Sequence, residues 1–242
     1  MQTEHELRVE LAAAIRLIYE MDMHESVANH LSAAVSTDGK CFLMNRRWMH
    51  FSNVTASNLQ LLDSEDDSVM QTDQAPDISA WSIHGSMHGL LLQARVILHV
   101  HPPYATALST LKDPRILPID NNTARFYERI AYDSNFSGIA SSDREGIRIT
   151  NSFAGKKALM MGNHGVTVIG DTVADTFEDL YYLEKACKTM VLAYSTGQSL
   201  NVLPHKLAQE TAESWDNFHG QSHAHFEQLK EMLNKKGSSY RQ

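Results

Sequence analysis

The chain has 242 residues, 43% hydrophobic and 21% charged, with a formal net charge of −8. That is an ordinary globular composition, and the acidic balance with no basic stripe argues against a nucleic-acid partner. No run approaches the roughly 18 apolar residues of a membrane span. The start, Met1-Gln2-Thr3-Glu4-His5-Glu6, lacks the basic-then-apolar pattern of a secretion signal. Cys41 and Cys187, the two cysteines, lie far apart and read as free thiols of a cytoplasmic protein.

Leu7, Leu11, Ala14, Ile15 and Ile18 recur at helical spacing and predict an amphipathic helix over residues 4–22. Residues 27–35 lead into Thr37-Asp38-Gly39-Lys40, a hairpin signal, from which Cys41-Phe42-Leu43-Met44 returns as a strand. Asn58 to Leu62 reads as a helical turn or short strand, and the acidic run 64–68 as a surface turn. A helix capped by Asp77 covers Ser79 to Ala94, with His84 and His88 one turn apart on one face. Val96 to His101 is a buried strand stopped by Pro102-Pro103, and a helix follows from Tyr104 to Leu111. Arg125 to Tyr132 reads as a short helix, and Ser141-Ser142-Asp143-Arg144-Glu145 caps another of about ten residues. Ala158 to Met161 and Val166 to Gly170 are strands around the turn Gly162-Asn163-His164-Gly165, and Asp171-Thr172 opens a helix to about Ser195. Beyond that, one helix is expected around 205–234, and Trp215 to Phe226, with His219, His223 and His225, reads as a solvated tail.

His99 and His101 sit two apart on a strand, so their side chains share a face. His164 stands at a second strand-to-turn junction. Alone, a His-x-His pair is more often incidental than metallic. Three neutral imidazoles plus an open position, however, make a common catalytic zinc arrangement. His84 and His88 lack the glutamate of a helical zinc motif, so they line the site or pack rather than ligate.

The order Asn29-His30-Leu31-Ser32, Trp81-Ser82-Ile83-His84, His99-Val100-His101-Pro102 and Asn163-His164-Gly165 resembles the class II aldolase and adducin head-domain family over roughly residues 5–200. The resemblance implies a three-layer α/β/α fold on a mostly antiparallel sheet over residues 1–200. Residues 201–242 are then a helical tail on the same domain or a neighbouring subunit. It also implies a homotetramer with sites between subunits, and a divalent metal on His99, His101 and His164, zinc first and Mn2+, Fe2+ or Ni2+ as alternatives. Asn29, Ser32, Ser52 and Ser79 are the implied substrate contacts, although Asn53 stands where the family's phosphate turn has glycine. The glutamate that serves the aldolases as ligand and acid/base is replaced by Ala80. The acid/base must then come from His84, His88, His30 or a metal-bound hydroxide. Tyr127 and Tyr132 are candidates, by order alone, for the tyrosine lent by a neighbour.

The expected activity is cleavage of a carbon–carbon bond in a small carbonyl or sugar-derived compound, through an enediolate stabilised by the metal. Decarboxylation of a keto acid, which needs no base, is the alternative that the missing glutamate favours. A non-catalytic adducin-like interaction module is the alternative from another class.

Overall fold

The computed structural model describes residues 2–136 and 138–242. Seven strands form one sheet: β1 (His30–Ala34), β2 (Cys41–Met44), β3 (Gln60–Asp63), β4 (Val96–Val100), β5 (Ile130–Asp133), β6 (Ala158–Met161) and β7 (Gly165–Gly170). Their order is β3-β2-β1-β4-β7-β6-β5. Every pairing is antiparallel except β5 with β6. The helices are α1 (Glu4–Glu20), α2 (Ile78–Ala80), α3 (Ser86–Leu90), α4 (Pro103–Ser109), α5 (Asn121–Ala124), α6 (Asp143–Ser152), α7 (Val173–Ser195), α8 (His205–Asp216) and α9 (Gln221–Lys235).

The sheet is covered on both faces, and so β4, Val-Ile-Leu-His-Val, is buried along its whole length. Leu31, Ala33, Leu98, Val100, Val166 and Val168 face one layer, packed with side chains of α1, α4, α7 and α9. Ile97, Leu159, Met161 and Ile169 face the other, against Ile83, Met87, Ile149 and Phe153. The result is the expected three-layer sandwich. The polar face residues His30, Ser32, His99 and Thr167 lie on the second side. The register sets His30 opposite His99 and His99 opposite Thr167.

Local signals explain the elements. Thr3 and Glu6 close a capping box on α1. Asp77 caps α2 by accepting from the Ser79 amide at 2.9 Å. Between α2 and α3 the helix widens into a π turn, Trp81–Gly85, a distortion that recurs at functional sites. Gly146 of α6 lies against this turn: a Cβ there would meet the Ser82 carbonyl oxygen at 2.0 Å.

Two sequence expectations are corrected. Arg125 to Tyr132 is not a helix. The helix is the earlier α5, and Ile130–Asp133 is edge strand β5, paired parallel to β6. A four-residue stretch is too short to show a period, and here the free edge of β6 captured it. The single helix expected over 205–234 is two, α8 and α9, separated at Gly220 with φ +87°. Nor is the tail simply solvated. Phe226 is 1% exposed, its ring 5.5 Å from that of Phe177, and His225 Nδ1 lies 2.5 Å from buried Glu178. Phe226 is thus spent on its own core, whereas Phe218 is left 62% exposed. The chain end returns to the body, where the Ala56 amide donates to the Tyr240 carbonyl at 2.8 Å.

Candidate metal centre

His99 lies in β4, His101 just past its end, and His164 in the turn between β6 and β7. One ring nitrogen from each lies within 4.8 Å of the others. The turn that presents His164 depends on its neighbours. Asn163 adopts φ +56°, a left-handed conformation asparagine tolerates, and its amide donates to the Ser109 carbonyl at 3.1 Å. Gly165 is required for space: a Cβ there would sit 2.5 Å from the His101 ring and 2.7 Å from the Val100 carbonyl. Gly165→Ala is therefore expected to push the His101 ring out of place and weaken zinc binding at least tenfold, by analogy with disturbing a ligand's supporting groups. Equilibrium dialysis checks this, and native affinity in the variant refutes it.

The outer nitrogens of two rings are committed. His99 Nδ1 lies 2.9 Å from Thr167 Oγ1, which is also 3.4 Å from Met161 Sδ. His101 Nδ1–H donates to the Glu25 carboxylate at 2.5 Å. The Nε2 atoms of these two rings approach to 3.2 Å, and with the Nδ1 atoms engaged outward it is the Nε2 atoms that are available to a metal. The donor set therefore fits a divalent metal, with the outer support that ligand histidines use. Burial, and then neighbouring imidazoles, holds His99 well below its ordinary pKa. His164 is lowered to about 4 for the same reasons. Near neutral pH both rings therefore keep free lone pairs.

Beside this centre runs a second set of buried histidines. The His30 ring stacks on His99 at 4.8 Å between centroids. His30 Nδ1 is 2.8 Å from His84 Nε2, His84 Nδ1 is 2.6 Å from Ser32 Oγ, and Ser32 Oγ is 2.8 Å from His88 Nε2. Burial pushes His30 and His84 well below the ordinary histidine range and His88 to about 3. Ser79 Oγ donates to Asp77 at 2.6 Å and lies 3.5 Å from His30 Nε2.

The expected substrate contacts divide. Ser32 is fully buried with its hydroxyl engaged by His84 and His88, which places it inside the histidine chain rather than at a surface. Asn29 is 2% exposed and accepts from the Glu25 amide at 2.6 Å, so it holds the loop that carries Glu25. Ser52 is half-buried beside His50 Nδ1 at 2.7 Å. Ser79 reaches toward His30. Ala80 is 2% exposed in an apolar cluster with Phe42, Met44 and Trp81. The Tyr132 hydroxyl accepts from the Ile116 amide at 3.0 Å, and its pKa is pushed up to about 12 by burial. Tyr127 is engaged with His205 at 2.8 Å.

Glu25, Thr167 and Asp77 were not visible as site residues in the sequence. Thr167 could have been found from register, since it faces His99 across β4 and β7. Glu25 sits in an irregular loop and carries no periodic signal. A cavity of about 790 Å³, lined by Arg125, Lys157, Asp175, Trp215 and His223 among others, contains none of these residues. The histidine centre instead opens at the sheet end, where His101 and His164 are half-exposed.

The family described as Class II Aldolase and Adducin N-terminal domain matches residues 9–191. A Caulobacter vibrioides protein named "Putative aldolase class 2 protein" is 32% identical over 212 residues, covering 88% of this chain and 80% of its own. A crystal structure of an aldolase II superfamily protein from Pseudomonas syringae superposes with TM-score 0.89 at 29% identity, covering 100% of this chain and 97% of the other. L-fuculose 1-phosphate aldolase from Glaciozyma antarctica shares the fold, with TM-score 0.83 at 22% identity over 99% of this chain and 93% of its own. More distant relatives differ in role. The decarboxylase NovR of Streptomyces niveus is 24% identical over 148 residues (61% of this chain and 54% of its own). Rat alpha-adducin is 29% identical over 188 residues, which cover 76% of this chain and 25% of adducin.

Proposed function

The chain belongs to the class II aldolase and adducin N-terminal domain family, and from that premise we propose that it is a metal-dependent carbon–carbon lyase acting on a small oxygenated carbonyl compound. The observation that carries this reading is the convergence of His99, His101 and His164, one ring nitrogen of each within 4.8 Å of the others, with the Nδ1 atoms of His99 and His101 backed by oxygen. An interaction module has no use for such an arrangement. Held by His99, His101 and His164, a divalent ion supplies a Lewis acid that polarises a carbonyl. Three nitrogen donors and an open position suit zinc best, with Mn2+, Fe2+ and Ni2+ as the other occupants to test.

The remaining residues narrow the chemistry. Position 80 offers no acid or base. The carboxylates beside the centre are spoken for, Glu25 by His101 and Asp77 by Ser79 and the α2 cap. Aldol cleavage needs a base for a substrate hydroxyl proton, whereas decarboxylation of a 3-oxo acid does not. These commitments favour the decarboxylase within the lyase reading, and the relation to NovR supports the same choice. The test is elemental analysis of purified protein together with a screen for carbon–carbon cleavage on keto acids and sugar phosphates. Release of carbon dioxide from a 3-oxo acid by metal-loaded protein is expected. Metal-free protein that cannot be loaded, with no cleavage of either class, refutes the lyase.

The same proposal includes a homo-oligomer, most simply a tetramer, in a cytoplasmic setting where both cysteines stay free. No helix among the described residues is long and apolar enough to cross a membrane. Phe136, 57% exposed, lies 6.5 Å from the His164 ring, where a neighbouring subunit would cover it. Light scattering at micromolar concentration is expected to give a multiple of the 27.2 kDa chain mass. A monomer refutes the assembly.

Glu25→Ala is expected to weaken zinc binding about 10- to 100-fold, the usual effect of removing a ligand's hydrogen-bond partner. Competition with a chelating dye measures it, and native affinity in the variant removes Glu25 from the site.

A further inference from the structure

Deepening the lyase reading and resting on it, we propose that His30 presents an N–H donor, not a basic lone pair, to an anionic oxygen of the substrate at the three-histidine centre. The polarity follows from the hydrogen bonds. His88 Nδ1 is buried without a partner among the described residues, while His88 Nε2 has one in Ser32. An orphaned buried N–H costs more than an orphaned lone pair, so the His88 proton resides on Nε2. Ser32 then accepts from His88 and spends its single proton on His84 Nδ1. His84 must carry its proton on Nε2 and donate it to His30 Nδ1. Neutral His30 is left with Nε2–H.

The opposite end gives the same answer without using His88. Asp77 is an acceptor only, so the Ser79 hydroxyl donates to it and can offer His30 Nε2 nothing but a lone pair. The His30 N–H meets that lone pair at 3.5 Å, a loose contact at the limit of hydrogen bonding. The donor is therefore nearly unspent, beside His99, where a negatively charged substrate oxygen could take it. Reversing the chain would turn His30 into a base, at the cost of a buried Nδ1–H on His88 with no acceptor. His84, Ser32, His88, Ser79 and Asp77 act as positioning residues that hold this tautomer.

Neutron diffraction on deuterium-exchanged crystals of the native protein reads the tautomers directly. Deuterium is expected on Nε2 of His30, His84 and His88 and on none of their Nδ1 atoms; deuterium on His30 Nδ1 with Nε2 bare overturns the proposal. The second measurement uses oxalate, a small dianion, titrated calorimetrically into zinc-loaded protein. His30→Leu is expected to bind oxalate about 10- to 100-fold more weakly than native, and His30→Gln, which keeps an N–H, to recover most of the loss. Equal oxalate affinity in native and His30→Leu protein, or no oxalate binding to zinc-loaded native protein, overturns the donor role. Failure of the native protein to take zinc would instead refute the lyase reading and leave the neutron result to stand or fall alone.

Discussion

Replacing His101 by alanine is expected to lower turnover by about 100-fold or more, the scale of losing a principal electrostatic stabiliser, and to strip the bound divalent ion. The argument is local. His101 is the ring with its own carboxylate partner, Glu25, and its Nε2 is one half of the facing pair at 3.2 Å. Removing the ring leaves two imidazoles, too few for the tetrahedral site of a catalytic zinc. The fold should survive, because His101 lies past the end of β4 and is half-exposed, whereas the strand is held by Val96, Leu98 and Val100. Circular dichroism and elemental analysis separate the outcomes: a folded, metal-free, inactive variant is expected. A variant that keeps full turnover would end the metal-lyase reading, whatever its metal content.

Much of this arrangement was legible in the sequence because it follows periodicity. Two histidines two apart on an apolar strand must share a face, and a His between two glycines after another apolar run must stand at a turn. Strands β2, β4, β6 and β7 carry branched or apolar runs long enough to be read, and Asp38-Gly39 marks the first hairpin. Strand β5 was missed because Ile130 to Asp133 is short and half polar, and its state was decided by a partner distant in sequence. Glu25 and Asp77 were missed as site residues for a related reason. One is a loop acid and the other an ordinary helix cap, and only the fold brings them to the histidines. The resemblance implies Ser32 as a substrate contact. The structure spends its hydroxyl on His84 and His88, a use that no linear pattern could show.

Acid should unfold this protein earlier than its carboxylates alone would require. His84 and His88 are both buried, 0% and 1% exposed, and burial keeps both pKa values below the unfolded value near 6.5, His88 at about 3. The sign follows from proton counts. Between pH 6.5 and 3 the unfolded chain binds a proton at His88 and the folded chain does not, and His84, held low by the same burial, acts in the same direction. Their neutral burial therefore costs nothing above pH 6.5, and stability falls as the pH drops below it. His88 contributes about 1.4 kcal/mol per pH unit, so it removes roughly 2.5 kcal/mol between pH 6.5 and 4.5, and His84 adds to the fall. The His88 share alone is about half the stability of a marginal domain. Glu184 and Asp179, raised by burial, act in the opposite sense as they protonate and soften the slope. Urea denaturation from pH 7.5 to 4.5 should show a flat midpoint above pH 7 and a steep fall below 6. His88→Phe keeps the ring's stack on Phe42, 4.3 Å away in the native protein, and removes one titrating group. Its slope below pH 6 should be smaller than the native one by about 1.4 kcal/mol per pH unit. A native midpoint that stays level to pH 5, or a variant slope equal to the native, would show that these imidazoles are not held neutral by the fold.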